Sequence, residues 1–361
     1  MRNKFIVPVM SLLLVASFLF SCEGERKRKN IKPAAYGPPG EVIVLVDSTV
    51  WKGQVGQAFR ESIDVRMPGI LRIEPMFKIY NMAPSQFSRT VKYTKNLVVI
   101  MTLDAQTKDS KELQGRFSPK MVSKIKKDSA FYYQVRHEEF ARGQETLYLF
   151  GNTQRQLAEN IRGNAQFLRN LLNSFESKRM DDKLFSKKKY QRSRKVMQQR
   201  FGYSIDLPNV YQLAMDTAQF IWYRVPDQEI DKNIFVTYKT YSSPDQFRED
   251  SILAFRNAVC KKYLKGLRDN VYMVTETQIP PVRQEVSLRG RYAVENRGLW
   301  KLSNNVMGGS FVSYTLADPS QKRIYYIEGY VYSPDKKKRE TLRELETILR
   351  TFRTKAVGKK Q

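Results

Sequence analysis

One stretch constrains this chain more than any other. Residues 178 to 200, "KRMDDKLFSKKKYQRSRKVMQQR", carry ten Lys or Arg against two Asp. Charges packed this densely stay in water unless paired, and the few apolar residues among them offer no face to bury. Residues 178–195 therefore read as an exposed basic linker that divides the chain into two lobes. Its densest charge is Lys187, Lys188, Lys189, Arg192, Arg194 and Lys195. A chain of 361 residues is long enough for two domains of ordinary size.

The first lobe, residues 41–177, alternates strand and helix patterns. "EVIVLVD" (41–47), "NLVVIMTLD" (96–104) and "ETLYLFG" (145–151) are short apolar runs typical of buried strands. "WKGQVGQAFRESI" follows the first as a helix. "TQRQLAENIRGNAQFLRNLLNSF" closes the lobe as another, with Leu157, Ile161, Leu168, Leu172 and Phe175 in one stripe and Thr153 with Gln156 as a capping box. The second lobe, residues 196–354, is of another kind. "FIWYRV", "NIFVTYKTY", "SLRGRYAVENRGLW", "GSFVSYTLAD" and "RIYYIEGYVYS" alternate between turns, as antiparallel strands do. Two helices interrupt or end that sheet, one after Ser243-Pro244 and one after Ser333-Pro334. Each start places serine at the N-cap and proline at N1, as Ser118-Pro119 does in the first lobe. A short basic tail, residues 355–361, follows. The expected fold class is α+β: a smaller N-terminal α/β layer and a C-terminal antiparallel sheet flanked by helices.

The front of the chain is an address. Arg2 and Lys4 precede an apolar run from Phe5 to Phe20, a little shorter than the roughly 20 residues that span a bilayer. Residues 1–21 read as a secretory signal peptide, the alternative being an uncleaved anchor. The ending Leu19-Phe20-Ser21-Cys22 resembles a bacterial lipobox, with Phe20 bulkier than the usual occupant. The resemblance implies cleavage before Cys22 and acylation of its thiol with palmitate-type chains, two or three of which anchor a protein stably. Residues 22–40, rich in Pro, Gly and cations from Arg26 to Lys29, then form a flexible tether.

Signals for catalysis are thin. Cys260 beside the helical stripe Ile252, Phe255, Val259 and Tyr263 reads as a half-buried, inert thiol. His137 is the single histidine, so any His-based metal site or catalytic triad has to use it. It lies in a charged segment and reads as a surface residue. Asp47, Glu74 and Glu328 sit within or beside apolar segments, where pairing with Arg or Lys accounts for them. No Walker loop or dinucleotide fingerprint is present, and no cofactor is expected. One local feature stands apart: "GLWKLSNNVMGGSF", residues 298–311. Asn304-Asn305 suits a tight turn, and Gly308-Gly309 allows positive φ or close backbone approach. Successive N–H groups there could form an anion nest, with Trp300 and Met307 as an apolar contact beside it. The segment is either a bulged hairpin or a binding loop.

Two resemblances extend this reading. "GEVIVLVDSTVWKGQVGQAFRE", "EPMFKIYNMAPSQFSR", "KNLVVIMTL", "RGLWKLSNNVMGGSFVSY" and "GYVYSPDKKKRETLRELE" resemble the blocks of an uncharacterised lipoprotein family of Bacteroidota, the domain of unknown function 4837. Surface display in that group goes with an acidic stretch after the lipidated cysteine. Here Glu23 and Glu25 are followed by "RKRK", which favours the periplasmic side of the outer membrane. Residues 196–354, opening on Tyr203-x-Ile205-x-x-Pro208 and closing on a helix that ends in an aromatic, resemble PsbP-like (Mog-like) domains. That resemblance implies an α-β-α sandwich serving in binding or assembly. The net charge of +27 calls for an anionic partner. At a membrane surface, anionic lipid or an acidic envelope protein suits it better than nucleic acid. The expected function is a lipid-anchored, non-catalytic binding or assembly module of the cell envelope; the alternative is an enzyme acting on an anionic envelope glycan or lipid. A pocket enclosing two carboxylates, or one carboxylate with Lys and Tyr, would favour the enzyme, and a flat basic face over a filled core the module.

Overall fold

The computed structural model describes residues 32–185, 197–268 and 270–354. Cys22, the signal segment, most of the tether and the tail from residue 355 lie outside them. In the first lobe the chain runs β1 (Glu41–Val46), α1 (Ser48–Lys52), α2 (Gln54–Ile63), β2 (Lys78–Met82), α3 (Arg89–Lys92), β3 (Asn96–Thr102), α4 (Lys108–Gln114), α5 (Pro119–Lys127), β4 (Tyr133–His137), β5 (Glu145–Gly151), α6 (Gln154–Gly163) and α7 (Ala165–Phe185). The sheet order is β2-β1-β3-β5-β4, parallel except for β4. Alternate residues of β1, β3 and β5 feed two cores. Val44, Val98 and Leu149 meet α2, α6 and α7 on one face, while Leu45, Val99 and Phe150 meet α4 and α5 on the other. Burial on both faces is why these strands read as unbroken apolar runs.

The second lobe continues with β6 (Tyr203–Ser204), β7 (Gln212–Asp216), β8 (Phe220–Val225), β9 (Asp231–Thr240), the helix Glu249–Tyr263, β10 (Met273–Thr275), β11 (Val282–Leu288), β12 (Arg291–Leu302), β13 (Gly308–Asp318), β14 (Arg323–Tyr332), the last helix Arg339–Leu349 and β15 (Arg353–Thr354). Its antiparallel sheet has the order β10-β12-β13-β14-β9-β8-β7, with β11 also on β12. Tyr314, Tyr325 and Ile327 pack on the last helix; Phe235, Phe311 and Tyr326 pack on the helix Glu249–Tyr263. The molecule is thus α+β in two lobes, the second a sheet with helices on both faces.

Five readings need correction. The flexible tether ends before residue 40, because Ala35 N–H donates to Arg142 O at 2.8 Å and Tyr36 N–H to Tyr93 O at 3.0 Å, docking this stretch on the first lobe. The closing helix of the first lobe breaks at Asn164 into α6 and α7. The Thr153 hydroxyl does cap Gln156 N–H at 3.2 Å, but the Gln156 side chain accepts from Asn152 rather than from Thr153. The linker starts later than residue 178, because α7 continues to Phe185, whose ring is buried against the second lobe. An apolar pair, Leu184-Phe185, gave the helix something to bury despite the surrounding charge; Lys187, Lys188, Lys189, Arg192, Arg194 and Lys195 lie outside the described residues. Of the serine-proline pairs, Ser118-Pro119 starts α5, whereas Ser243-Pro244 starts only a 3-10 turn and Ser333-Pro334 starts no helix.

The last helix is capped from the other lobe. The Glu74 carboxylate accepts from the N–H groups of Lys338 (2.8 Å) and Arg339 (3.1 Å), an anion at the positive end of the helix. Arg339 donates to the carbonyls of Pro39 and Pro75. Arg343, fully buried, donates to Met76 O at 2.7 Å and Asn173 Oδ1 at 3.2 Å. The lobes are locked together by hydrogen bonds of buried groups, which are costly to leave unmade.

Candidate functional site

The segment 298–311 forms the end of the β12–β13 hairpin. Trp300 pairs with Gly309 and Lys301 with Gly308. The turn closes with Leu302 N–H on Met307 O and Asn305 N–H on Leu302 O, both 2.8 Å. Asn305 takes the left-handed conformation, φ 60°, which asparagine tolerates. Neither glycine has positive φ, and both belong to the ladder, so no anion nest forms here. Close approach is what they provide. A Cβ on Gly309 would overlap Val331 O and lie 2.8 Å from Trp300 Nε1. Only glycine lets the indole cross β13, donate to Val331 O at 3.3 Å and stand edge-on to Tyr330.

Two cavities flank this hairpin and share Trp300, Val306, Met307 and Tyr332 as a common wall. The larger, about 560 Å³, is completed by Trp222, Asn304 and the loop after the helix Glu249–Tyr263, with Leu264, Leu267 and Val271. The smaller, about 480 Å³, takes in Asn305, Gly308 and Gly309 together with Leu71 and Arg72 from the first lobe. Both fall in the size range of small-molecule sites. Apolar side chains that would ordinarily be hidden stand at the rims: Val306 is 74% exposed, Leu71 70%, and Leu267 wholly so. These rims are apolar surface left in water. The polar wall of the larger cavity is a chain of contacts: Trp222 Nε1 donates to Asn233 (2.9 Å), Asn233 to Asp231 (3.0 Å), and Asp231 pairs with Arg224 (2.6 Å). All six residues singled out in the sequence, Trp300, Asn304, Asn305, Met307, Gly308 and Gly309, line one cavity or both. Trp222, Leu264 and Leu71 were missed. Leu267, apolar within the turn-rich "KGLRDN", was the available signal.

A third cleft, about 620 Å³ and polar, lies between the lobes. It encloses Glu295 and Glu346, bridged by Arg297 at 2.6 and 2.8 Å, while the Tyr314 hydroxyl donates to Glu295 at 2.7 Å. Burial alone would raise the Glu346 pKa, but Arg297 and Arg350 outweigh it and hold this carboxyl below its ordinary range. Burial and the neighbouring carboxylates push the Tyr314 hydroxyl well up. Arg297 thus stands between two carboxylates, with the Tyr314 hydroxyl on the first.

The remaining candidates are structural. Cys260 is completely buried rather than half-buried, and burial pushes its thiol up to about 12. His137 is exposed and touches Glu145. Glu328 pairs as expected, bidentate to Arg256 at 2.7 and 2.8 Å with both side chains wholly buried. Asp47 and Glu74 do not pair with Arg or Lys side chains: Asp47 accepts from the N–H groups of Thr49 and Val50 and the hydroxyl of Thr107, and Glu74 caps the last helix. Backbone amides met their charge, which sequence spacing does not reveal. Among the described residues no group of His, Cys, Asp and Glu could hold a metal, and no helix is long and apolar enough to cross a membrane.

The fold defines a two-lobed α+β protein with two cavities flanking one hairpin of the second lobe. Residues 190–351 match the model of a domain of unknown function, DUF4837, and residues 35–185 match that of a second, DUF8532. The resemblance to a single family along the whole chain therefore divides at the basic run, its first three blocks falling within DUF8532. No curated protein matches. Similar solved structures include a Mog1 mutant (10% identity, TM-score 0.28) and the Ran-binding protein Mog1p of Saccharomyces cerevisiae (10%, 0.29), in each of which 42% of this chain covers 90% of the other. A Pseudomonas aeruginosa protein of unknown function (12%, 0.21) is covered to 76% by 36% of this chain.

Proposed function

We propose that this chain is a Bacteroidota-type lipoprotein, anchored through Cys22 to the outer membrane on its periplasmic side, and that it serves there as a non-catalytic binding module. The carrying observation is the pair of cavities sharing one hairpin wall, rimmed by exposed Val306, Leu71 and Leu267. A sheet flanked by helices suits the PsbP-like binding domains that residues 196–354 resemble. The anchor is tested by palmitate-analogue labelling in a lipoprotein-processing host, which Cys22→Ala should abolish; labelling that survives the change sinks it. The site is tested with Nile red, a neutral apolar dye, on the chain from residue 23 onward, which retains both sheets and their cores. Binding that Val306→Asp removes supports the reading, and absence of binding refutes it. The positive charge should hold the same protein on anionic vesicles at low salt and release it as the Debye length shrinks below about 8 Å.

The enzyme reading has two observations in its favour: the cleft lined by Glu295 and Glu346, and the larger hairpin cavity, where the carboxylate of Asp231 stands with Lys265 and Tyr330. The arginines that occupy those carboxylates weigh against it. Turnover of an envelope glycan or phospholipid by the purified chain, lost in Glu346→Gln, would replace the binding reading.

A further inference from the structure

We infer that the larger hairpin cavity takes a single-chain amphiphile with an anionic head, such as a long-chain fatty acid. The inference rests on the reading of that cavity as a binding site and adds the chemistry of its occupant. Its inner surface is apolar, formed by Leu264, Val271, Met273, Trp300, Met307 and Tyr330. A hydrocarbon chain gains there about 0.8 kcal/mol for each methylene removed from water. Three polar groups of the wall, Trp222, Asn233 and Asp231, are spent on one another.

The charges decide the head group. Among the described residues lining the cavity, three cations, Arg224, Lys265 and Arg268, stand against one carboxylate, Asp231, which Arg224 already engages. Lys265 and Arg268 are exposed on the loop that forms the lip. A carboxylate or phosphate at the lip meets that excess of positive charge while its chain fills the apolar interior, whereas a neutral tail gains only the second term. The volume, about 560 Å³, fits one chain of this kind better than a two-chain phospholipid.

The test displaces Nile red from the chain beginning at residue 23 with palmitate below its micelle concentration, and in parallel with hexadecanol, the same tail without the charge. Palmitate should displace the dye at a single site, and Lys265→Gln with Arg268→Gln should weaken it about tenfold, equivalent to about 1.4 kcal/mol. Hexadecanol should respond equally in both proteins. Both substitutions are on exposed side chains, and an unchanged urea midpoint verifies the fold. Dye binding that palmitate does not displace, or palmitate that is blind to the double substitution, overturns this inference while leaving the binding site standing. Absence of dye binding overturns both. Palmitate offered in phosphatidylcholine vesicles separates the sources: uptake there assigns a membrane amphiphile, uptake from solution alone a soluble acid, and either supports the proposal.

Discussion

The carboxyl end of the first lobe's sheet and the hairpin end of the second lobe's sheet use their polar groups in opposite ways. In the first lobe β1 and β3 are neighbours whose connections leave in opposite directions, the point where open α/β sheets usually bind ligands. Here that crevice is closed by its own residues. Asp47 after β1 is held by Thr49, Val50 and Thr107; Asp104 after β3 accepts from Gln154 N–H at 3.0 Å; Gln114 donates to Thr102 O and Ala105 O. At the hairpin end, turn and loop leave apolar side chains uncovered around two cavities. The lesson is that topology nominates a site and satisfaction of its groups decides. The first lobe's end spends its polar groups on one another, and the second lobe's end leaves apolar side chains in the open.

Substitutions can break or sharpen that contrast. Gly309→Ala should have the largest effect, a loss of about 3 kcal/mol in urea unfolding together with loss of dye binding, because its Cβ meets Val331 O and the Trp300 ring. A mild effect would mean that the wall of the open end is deformable. Asp47→Ala should cost about 2 kcal/mol, through loss of a helix cap and a buried acceptor, with dye binding unchanged. Changed dye binding would couple the two ends and undo the comparison. Asp47→Asn gives a smaller, pH-dependent form of this test. Burial raises the Asp47 pKa, but hydrogen bonds from Thr107 and Thr49 more than offset this, so its folded value lies below the ordinary 3.8. Its stabilisation is then complete above that value and is lost as pH falls through the folded value. The gap in denaturant midpoint between the native chain and the Asp47→Asn variant should therefore be constant at neutral pH and close below about 3.8. A gap that widens on acidification would reverse the assignment. Val306→Ser should be the mildest, within about 0.5 kcal/mol, since an exposed apolar residue contributes little to folding.

Much of this contrast was legible beforehand, and the reasons are particular. β1, β3 and β5 announced themselves because burial on both faces demands unbroken apolar runs. β2 and β4 did not, since they are edge strands with exposed residues such as Tyr80 and His137. The hairpin residues Trp300 to Gly309 were found because two asparagines and two glycines within six positions have few uses. The opposite walls, Trp222, Leu267 and Leu71, come from distant segments that only the fold brings together. Arg256 escaped notice for a related reason: in the helical stripe it resembles any solvated arginine, yet its counter-ion Glu328 lies 72 residues away.

The cap that Glu74 places on the last helix has a consequence for the order of events when the chain is made. Its amide partners lie 264 and 265 residues further on. At roughly 5–20 residues per second of synthesis, that separation is on the order of tens of seconds. Once β5 has been made, at residue 151, every strand of the first sheet exists, while Glu74 and the carbonyls of Pro39, Pro75 and Met76 have yet to meet Lys338, Arg339 and Arg343. The final turns of the chain therefore act as a closing clasp: a nascent protein cut short before residue 338 holds a finished first lobe with an open receptor for a helix that never arrives.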